Sequence, residues 1–182
     1  MSAWDVAVVG GGPAGLAVAL TAAGRGLSTV VLERAAVPVD KACGEGLMPA
    51  GVAALERLGA LALLERRECA PFVGIRYVQE DGSCVEGRLP APGGLGVRRV
   101  ALGRALAARA RAVGVELRER CALVGHRRTG EGWVLETPLG PLHARMLVAA
   151  DGLASPLRLA QGLELEAGGP RRFGLRRHFR MR

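Results

Sequence analysis

An α/β fold, with a parallel sheet, an antiparallel meander as one crossover and part of a second β-sheet attached, is the architecture this sequence predicts. Three observations predict it. A glycine-rich turn, Gly10-Gly11-Gly12-Pro13-Ala14-Gly15, joins two apolar runs of different period. Short strand-like segments separated by Gly- and Pro-containing turns fill residues 115–149. The last of them runs into Asp151-Gly152, which puts a carboxylate at the carboxyl end of a parallel strand, where ligands of open α/β sheets gather.

In chain order, Trp4 to Val9 is apolar apart from Asp5 and ends in a β-branched pair, as a strand covered on both faces requires. Gly10 suits the tight turn, Gly12 lets backbone approach a phosphate, and Gly15 lets the next helix pack closely on the strand. Pro13 fits a first helical position, and the helix runs from about Ala14 to Ala23. Its free amides and positive dipole end favour an anion. A second apolar run, Thr29 to Leu32, ends in Glu33, the expected carboxylate for a ribose hydroxyl. A plain βαβ packing turn, with Glu33 a solvated strand end, is the competing reading of this stretch alone.

Arg34 to Met48 is irregular and glycine-containing, a loop with a purpose or a disordered connection. Helices are expected from Ala50 to Leu58 and up to Arg67. Val73–Gln79 and Ser83–Arg88 flank Glu80-Asp81-Gly82 as a hairpin, and Leu89–Gly96 acts as a return linker. The helix Ala101–Val113 opens with Arg98-Arg99 at the wrong end of its dipole, which a bound phosphate would relieve; two solvated arginines explain it as well. Strands follow at Val115–Arg118, Cys121–Arg128, Trp133–Thr137 and Leu142–Ala149, with Met146 to Ala150 as a final buried strand. Ser155 and Pro156 have the character of a helix N-cap and first residue. Residues 171–181 alternate apolar and basic, as a strand would; its arginine-rich face with His178 is a candidate for an acidic substrate, or a solvated face.

The formal net charge is +8 and the pI about 10.8, yet Lys41 is the only lysine and aromatics are 3%. No lysine-rich tract or aromatic-interleaved basic strip appears, so the basicity reflects an arginine-biased composition and no nucleic-acid partner is expected. The N-terminus lacks a signal-peptide pattern and no apolar stretch spans a bilayer, which suggests a cytoplasmic chain. Cys43, Cys69, Cys84 and Cys121 have no CxxC spacing, so neither disulfides nor a metal site is expected.

With these stretches together, the chain resembles FAD-dependent oxidoreductases of the p-hydroxybenzoate hydroxylase type, especially their geranylgeranyl reductase-like branch. The resemblance rests on Gly10–Gly15 with Glu33, the Lys41–Met48 loop, Arg99 followed by Leu102 and Leu106, and Ala150-Asp151-Gly152 with Ser155 and Arg158. It covers nearly the whole chain. It implies the glutathione reductase-type, Rossmann-like FAD-binding fold, in which a meander forms one crossover. By the same resemblance, Gly10, Gly12, Pro13, Ala14 and Gly15 hold the FAD pyrophosphate and Glu33 the adenosine ribose. Arg34 and the main chain around Leu123 border adenine. Cys43, Gly44, Glu45 and Gly46 run beside the flavin ring, and Arg99 contacts the cofactor. Asp151 and Gly152 match the family's DG motif, which serves FAD and, in the hydroxylases, the pyridine nucleotide.

The implied division is a discontinuous FAD-binding domain, residues 1–71 and 97–165, with 72–96 and 166–182 belonging to a substrate domain. The implied reaction is hydride transfer to, or monooxygenation of, a small or isoprenoid-type substrate, with NAD(P)H a candidate electron donor and membrane contact undecided. No residue is assigned as catalytic; Cys43 is a candidate to shape the substrate pocket and Glu45 to relay a proton, against a loop kept tight for its glycines. The WxWxIP signature of halogenases is absent, and so is the Gly-Asp motif of the family's later half. The expectation is therefore an N-terminal half of a longer flavoprotein. An NAD(P)-binding dehydrogenase domain and a non-catalytic FAD-binding remnant are the alternatives.

Overall fold

A computed structural model describes residues 3–165, 168–170 and 172–179. Its elements in chain order are β1 (Trp4–Val9), α1 (Pro13–Ala23), β2 (Thr29–Leu32), β3 (Gly46–Leu47), α2 (Pro49–Arg57), β4 (Cys69–Phe72), β5 (Gly74–Val78), β6 (Cys84–Arg88), β7 (Gly94–Val97), α3 (Arg99–Ala112), β8 (Glu116–Arg118), β9 (Gly125–Thr129), β10 (Gly132–Glu136), β11 (Leu142–Ala149) and α4 (Pro156–Ala160). The main sheet has the order β8-β2-β1-β11-β10-β9. Its first four strands are parallel and its last three antiparallel. β11 belongs to both halves: Leu142–Ala144 pair with β10, while the strand runs on beside β1 to Ala149.

β1 needs its apolar run from Val6 to Val9 because both faces are covered there. Val6 and Val8 enter a cluster with Leu16, Leu20, Leu102 and Leu106 on the α1 and α3 side. Ala7 and Val9 enter a second cluster with Leu32, Cys121, Leu135 and Leu157 on the other. Beyond β1 the backbones crowd together. Gly10 has φ +110°, and a Cβ on it would lie 2.2 Å from the Ala150 carbonyl oxygen; a Cβ on Gly15 would lie 1.9 Å from that of Gly10. Glycine at both positions is what lets β1 turn into α1 directly against the end of β11. At the opposite end of the strands, Asp5 accepts hydrogen bonds from the Ser28 hydroxyl (2.8 Å) and backbone N–H (2.9 Å) and from Arg145 (3.0 Å), tying together the starts of β1 and β2 and the middle of β11.

Several expected elements differ. The linker expected over Leu89–Gly96 runs into β7, which joins β3 and β4 in a three-stranded sheet. Its glycines mislead because the Phe72 ring lies across Gly94, where a Cβ would come within 2.2 Å of it. The helix expected up to Arg67 is two single 3₁₀ turns, Leu61–Leu63 and Arg66–Glu68, before β4. The strand expected from Cys121 begins only at Gly125, because the Cys121 N–H is taken by the Glu33 carbonyl (2.9 Å). The final buried segment expected at Met146–Ala150 is half open: Met146 is 57% exposed, and the burial in β11 is at Leu142 and Ala144.

The strand expected over 171–181 is absent from residues 172–179, which have no strand partner among the described residues; Arg171 and residues 180–182 lie outside them. Arg176 and His178 face acidic groups of the 40–45 loop, while Phe173, Leu175 and Phe179 are exposed.

Two outcomes test this account. Gly15→Ala is expected to cost about 3 kcal/mol in urea denaturation, since backbone and not a flexible side chain must yield. The hydrogen bonds from Ser28, with Arg145, hold the Asp5 carboxyl below its ordinary value. Its contribution to stability is therefore present above the ordinary carboxylate range and lost as pH falls through the lowered folded value. Asp5→Asn should flatten that acid limb in pH-dependent melting curves; an unchanged limb would remove Asp5 from the account.

Candidate functional site

The site is built around the start of α1. Gly12 is its N-cap with extended backbone, Pro13 occupies the first turn, and no side chain caps the helix. The space a Gly12 Cβ would take is open, with the Arg99 guanidinium (Nη2) nearest at 3.7 Å. Among the described residues that guanidinium makes no hydrogen bond or ion pair; only the Arg99 backbone N–H is engaged. An uncapped helix N-terminus thus has an unpaired guanidinium beside it, which is a setting for an anion such as a pyrophosphate. Ala14 and Gly15 continue the cradle in the first turn of the helix.

Glu33 ends β2 beside this loop and is 8% exposed. One carboxylate oxygen accepts the Gly11 N–H (2.7 Å) and the other the Ala35 N–H (3.0 Å), so its position is fixed at the lip of the cradle. The bond from Cys121 to the Glu33 carbonyl brings the extended segment containing half-buried Leu123 alongside, and exposed Arg34 follows directly. Glu33, Arg34 and Leu123 are therefore brought together, next to Gly10–Gly15.

On the other flank, Gly10 crowds Ala150 and the Asp151 N–H. Asp151 does not point free: one carboxylate oxygen accepts the Leu157 N–H (3.2 Å), and the Ser155 hydroxyl accepts the Arg158 N–H (3.0 Å), so both cap α4. Gly152 has φ +96°, and the Lys41 ammonium is 3.7 Å from where its Cβ would be. Sequence reasoning gave Lys41 no role of its own; its place at the head of the Lys41–Met48 loop was the available signal.

The segment Cys43–Gly46 is joined to the cradle through Glu45. Cys43 and Gly44 are exposed, and the Cys43 sulfur accepts the Glu45 N–H at 3.5 Å. The Glu45 carboxylate accepts the Arg99 backbone N–H at 2.8 Å, Arg176 at 3.0 Å and His178 at 2.7 Å. Partial burial pushes this carboxyl upward, but the Arg99 N–H, His178 and Arg176 outweigh it, and the group is held below its ordinary value. The arginine and histidine expected to face an acidic substrate are thus turned inward: Arg176 also pairs with Asp40 at 2.6 Å. Gly46 belongs to β3, paired with Gly96.

A partly open cavity of about 440 Å³, lined by Trp133, Leu147, Ala149, Leu157 and Arg158 among others, touches Asp151 and Gly152 from the meander side. It includes none of the cradle glycines. No helix among the described residues is long and apolar enough to cross a membrane.

This geometry agrees with relationships to known proteins. The chain is 54% identical over 63 residues to a menaquinone reductase of Mycolicibacterium smegmatis, a stretch that is 35% of this chain and 15% of that protein. It is 34% identical over 169 residues to digeranylgeranylglycerophospholipid reductase 1 of Methanopyrus kandleri, covering 88% of this chain and 42% of the reductase. The p-nitrophenol 4-monooxygenase of Pseudomonas putida superposes with a TM-score of 0.76 at 26% identity, over 87% of this chain and 43% of the monooxygenase. The chain therefore spans less than half the length of these relatives. Residues 3–175 match the family described as an FAD binding domain, and the chain belongs to that family.

Proposed function

We propose that the groove formed by Gly10, Gly12, Pro13, Ala14, Gly15 and Arg99 holds the pyrophosphate of FAD in a flavin-dependent oxidoreductase acting on an isoprenoid-type substrate. The observation that carries this reading is the uncapped start of α1 with the unpaired Arg99 guanidinium beside it at the open Gly12 position. Glu33, held beside the groove by the Gly11 N–H, is assigned to the adenosine ribose, and Arg34 and Leu123 to adenine. Asp151 and Gly152 take the cofactor's middle, and Cys43, Gly44, Glu45 and Gly46 line the approach to the flavin ring. Bound FAD supplies the hydride or oxygen chemistry, and the protein supplies position and charge.

Reduction is favoured because two relatives are named as reductases of menaquinone and of a digeranylgeranyl lipid. Monooxygenation of a small aromatic is the second reading, favoured by the likeness to p-nitrophenol 4-monooxygenase. NAD(P)H is the proposed electron donor. We also assign residues 1–71 and 97–165 to the cofactor domain, and 72–96 with 166–182 to a substrate lobe. The separate two-stranded sheet of β5 and β6, with Tyr77 and Val85 paired and each 72% exposed, supports an apolar face for that lobe.

Titration of the purified chain with FAD, followed by quenching of flavin fluorescence, tests the cofactor assignment. Saturable quenching is expected, and NAD should give no comparable thermal stabilisation. Gly12→Ala is expected to melt like the parent, its Cβ meeting nothing closer than 3.7 Å, while weakening FAD binding about tenfold. Stabilisation by NAD with indifference to FAD would overturn the reading.

A further inference from the structure

Glu45 is one of two non-glycine residues with a left-handed backbone among the described residues, at φ +55°. Its neighbours on both sides are glycines, which adopt that conformation without penalty. A glutamate kept in the strained position between them points to its side chain as the reason. That side chain is 17% exposed and gathers two segments distant in sequence: the first N–H of α3, and Arg176 and His178 of the 172–179 segment. The Glu45 carbonyl also accepts the Val97 N–H at 2.8 Å, fixing the approach to α3 from the other side.

The contact with α3 is the informative one. The N-cap of this fourteen-residue helix is Arg98, which offers no side-chain cap, and neither it nor Arg99 complements the positive dipole end. Glu45 provides from 54 residues away the carboxylate that the local sequence lacks. The residue whose N–H it holds is Arg99, whose guanidinium stands over Gly12.

We propose that Glu45 is a positioning residue for the cofactor: by capping α3 it fixes Arg99 over the pyrophosphate groove, and through Arg176 and His178 it ties the 172–179 segment to the same point. This rests on the FAD reading above. It requires no proton transfer by Glu45, and it explains why a glutamate stands where glycine would be easier.

The test is a double-mutant cycle on binding, with Glu45→Ala, Arg99→Ala and the pair, titrated with FAD and separately with ADP, which carries the adenosine and two phosphates alone. Glu45→Ala should weaken both ligands about tenfold, and in the Arg99→Ala background the same change should cost less than about twofold, because Glu45 acts through Arg99. Glu45→Gln, which keeps an acceptor for the Arg99 N–H, should restore most of the affinity while loosening the 172–179 segment, seen as faster tryptic cleavage after Arg177. Additive effects of the two alanine substitutions, or no rescue by glutamine, would overturn the proposal. ADP binding with this coupling but no FAD binding would leave the positioning role standing and remove the FAD reading. Binding of neither ligand by the parent chain would overturn both.

Discussion

Backbone packed on backbone at the end of β1 is the constraint from which the rest follows. The carbonyl of Gly10 lies where any side chain at position 15 would go, and the carbonyl of Ala150 where any side chain at position 10 would go. Because three chain segments meet there without intervening side chains, the start of α1, the end of β11 and the Asp151-Gly152 turn converge on one point. The helix N-terminus is thereby bare and directed at the groove, and its partial positive charge is available to a ligand. The two apolar clusters on either face of β1 hold this arrangement, and α3, packed on the same side as α1, brings Arg99 to it.

The charges around the groove are arranged in the same economy. Arg99 stands over Gly12 and Lys41 beside Gly152, while the nearby carboxylates are held by the protein's own groups. Glu33 is held by the Gly11 and Ala35 amides, Asp151 by α4, and Glu45 by α3, Arg176 and His178. Arg99 keeps its charge turned to the groove, and of the three carboxylates Glu45 is paired with a cation, which favours an anionic ligand there.

Much of this was legible in the residues. β1, β2 and the hairpin of β5 and β6 follow from apolar runs and an Asp-Gly turn, and the parallel order from the glycine turn and its partner strand. What was illegible depends on contacts distant in sequence. β7 is masked by glycines whose purpose is to admit the Phe72 ring, and two-residue β3 carries no periodicity at all. Alternation over 171–181 suggested a strand, yet within 172–179 Arg176 and His178 answer Asp40, Glu45 and the Lys41 carbonyl through their side chains. Arg98-Arg99 looked like a misplaced pair because their compensating carboxylate, Glu45, is remote in the chain. The glycine turn at the end of β1 was identifiable from spacing; the role of Glu45 as the point where three segments meet was not.

The central claim is that the Gly12–Arg99 groove, and not the cavity beside Trp133, receives the pyrophosphate. A crystal structure of the chain with FAD bound tests it most directly. The account predicts the two phosphates at the start of α1, with the Arg99 guanidinium within hydrogen-bond reach of their oxygens and Glu33 at the ribose. Phosphates located instead against Arg158 and Trp133, with Arg99 remote from them, would contradict it.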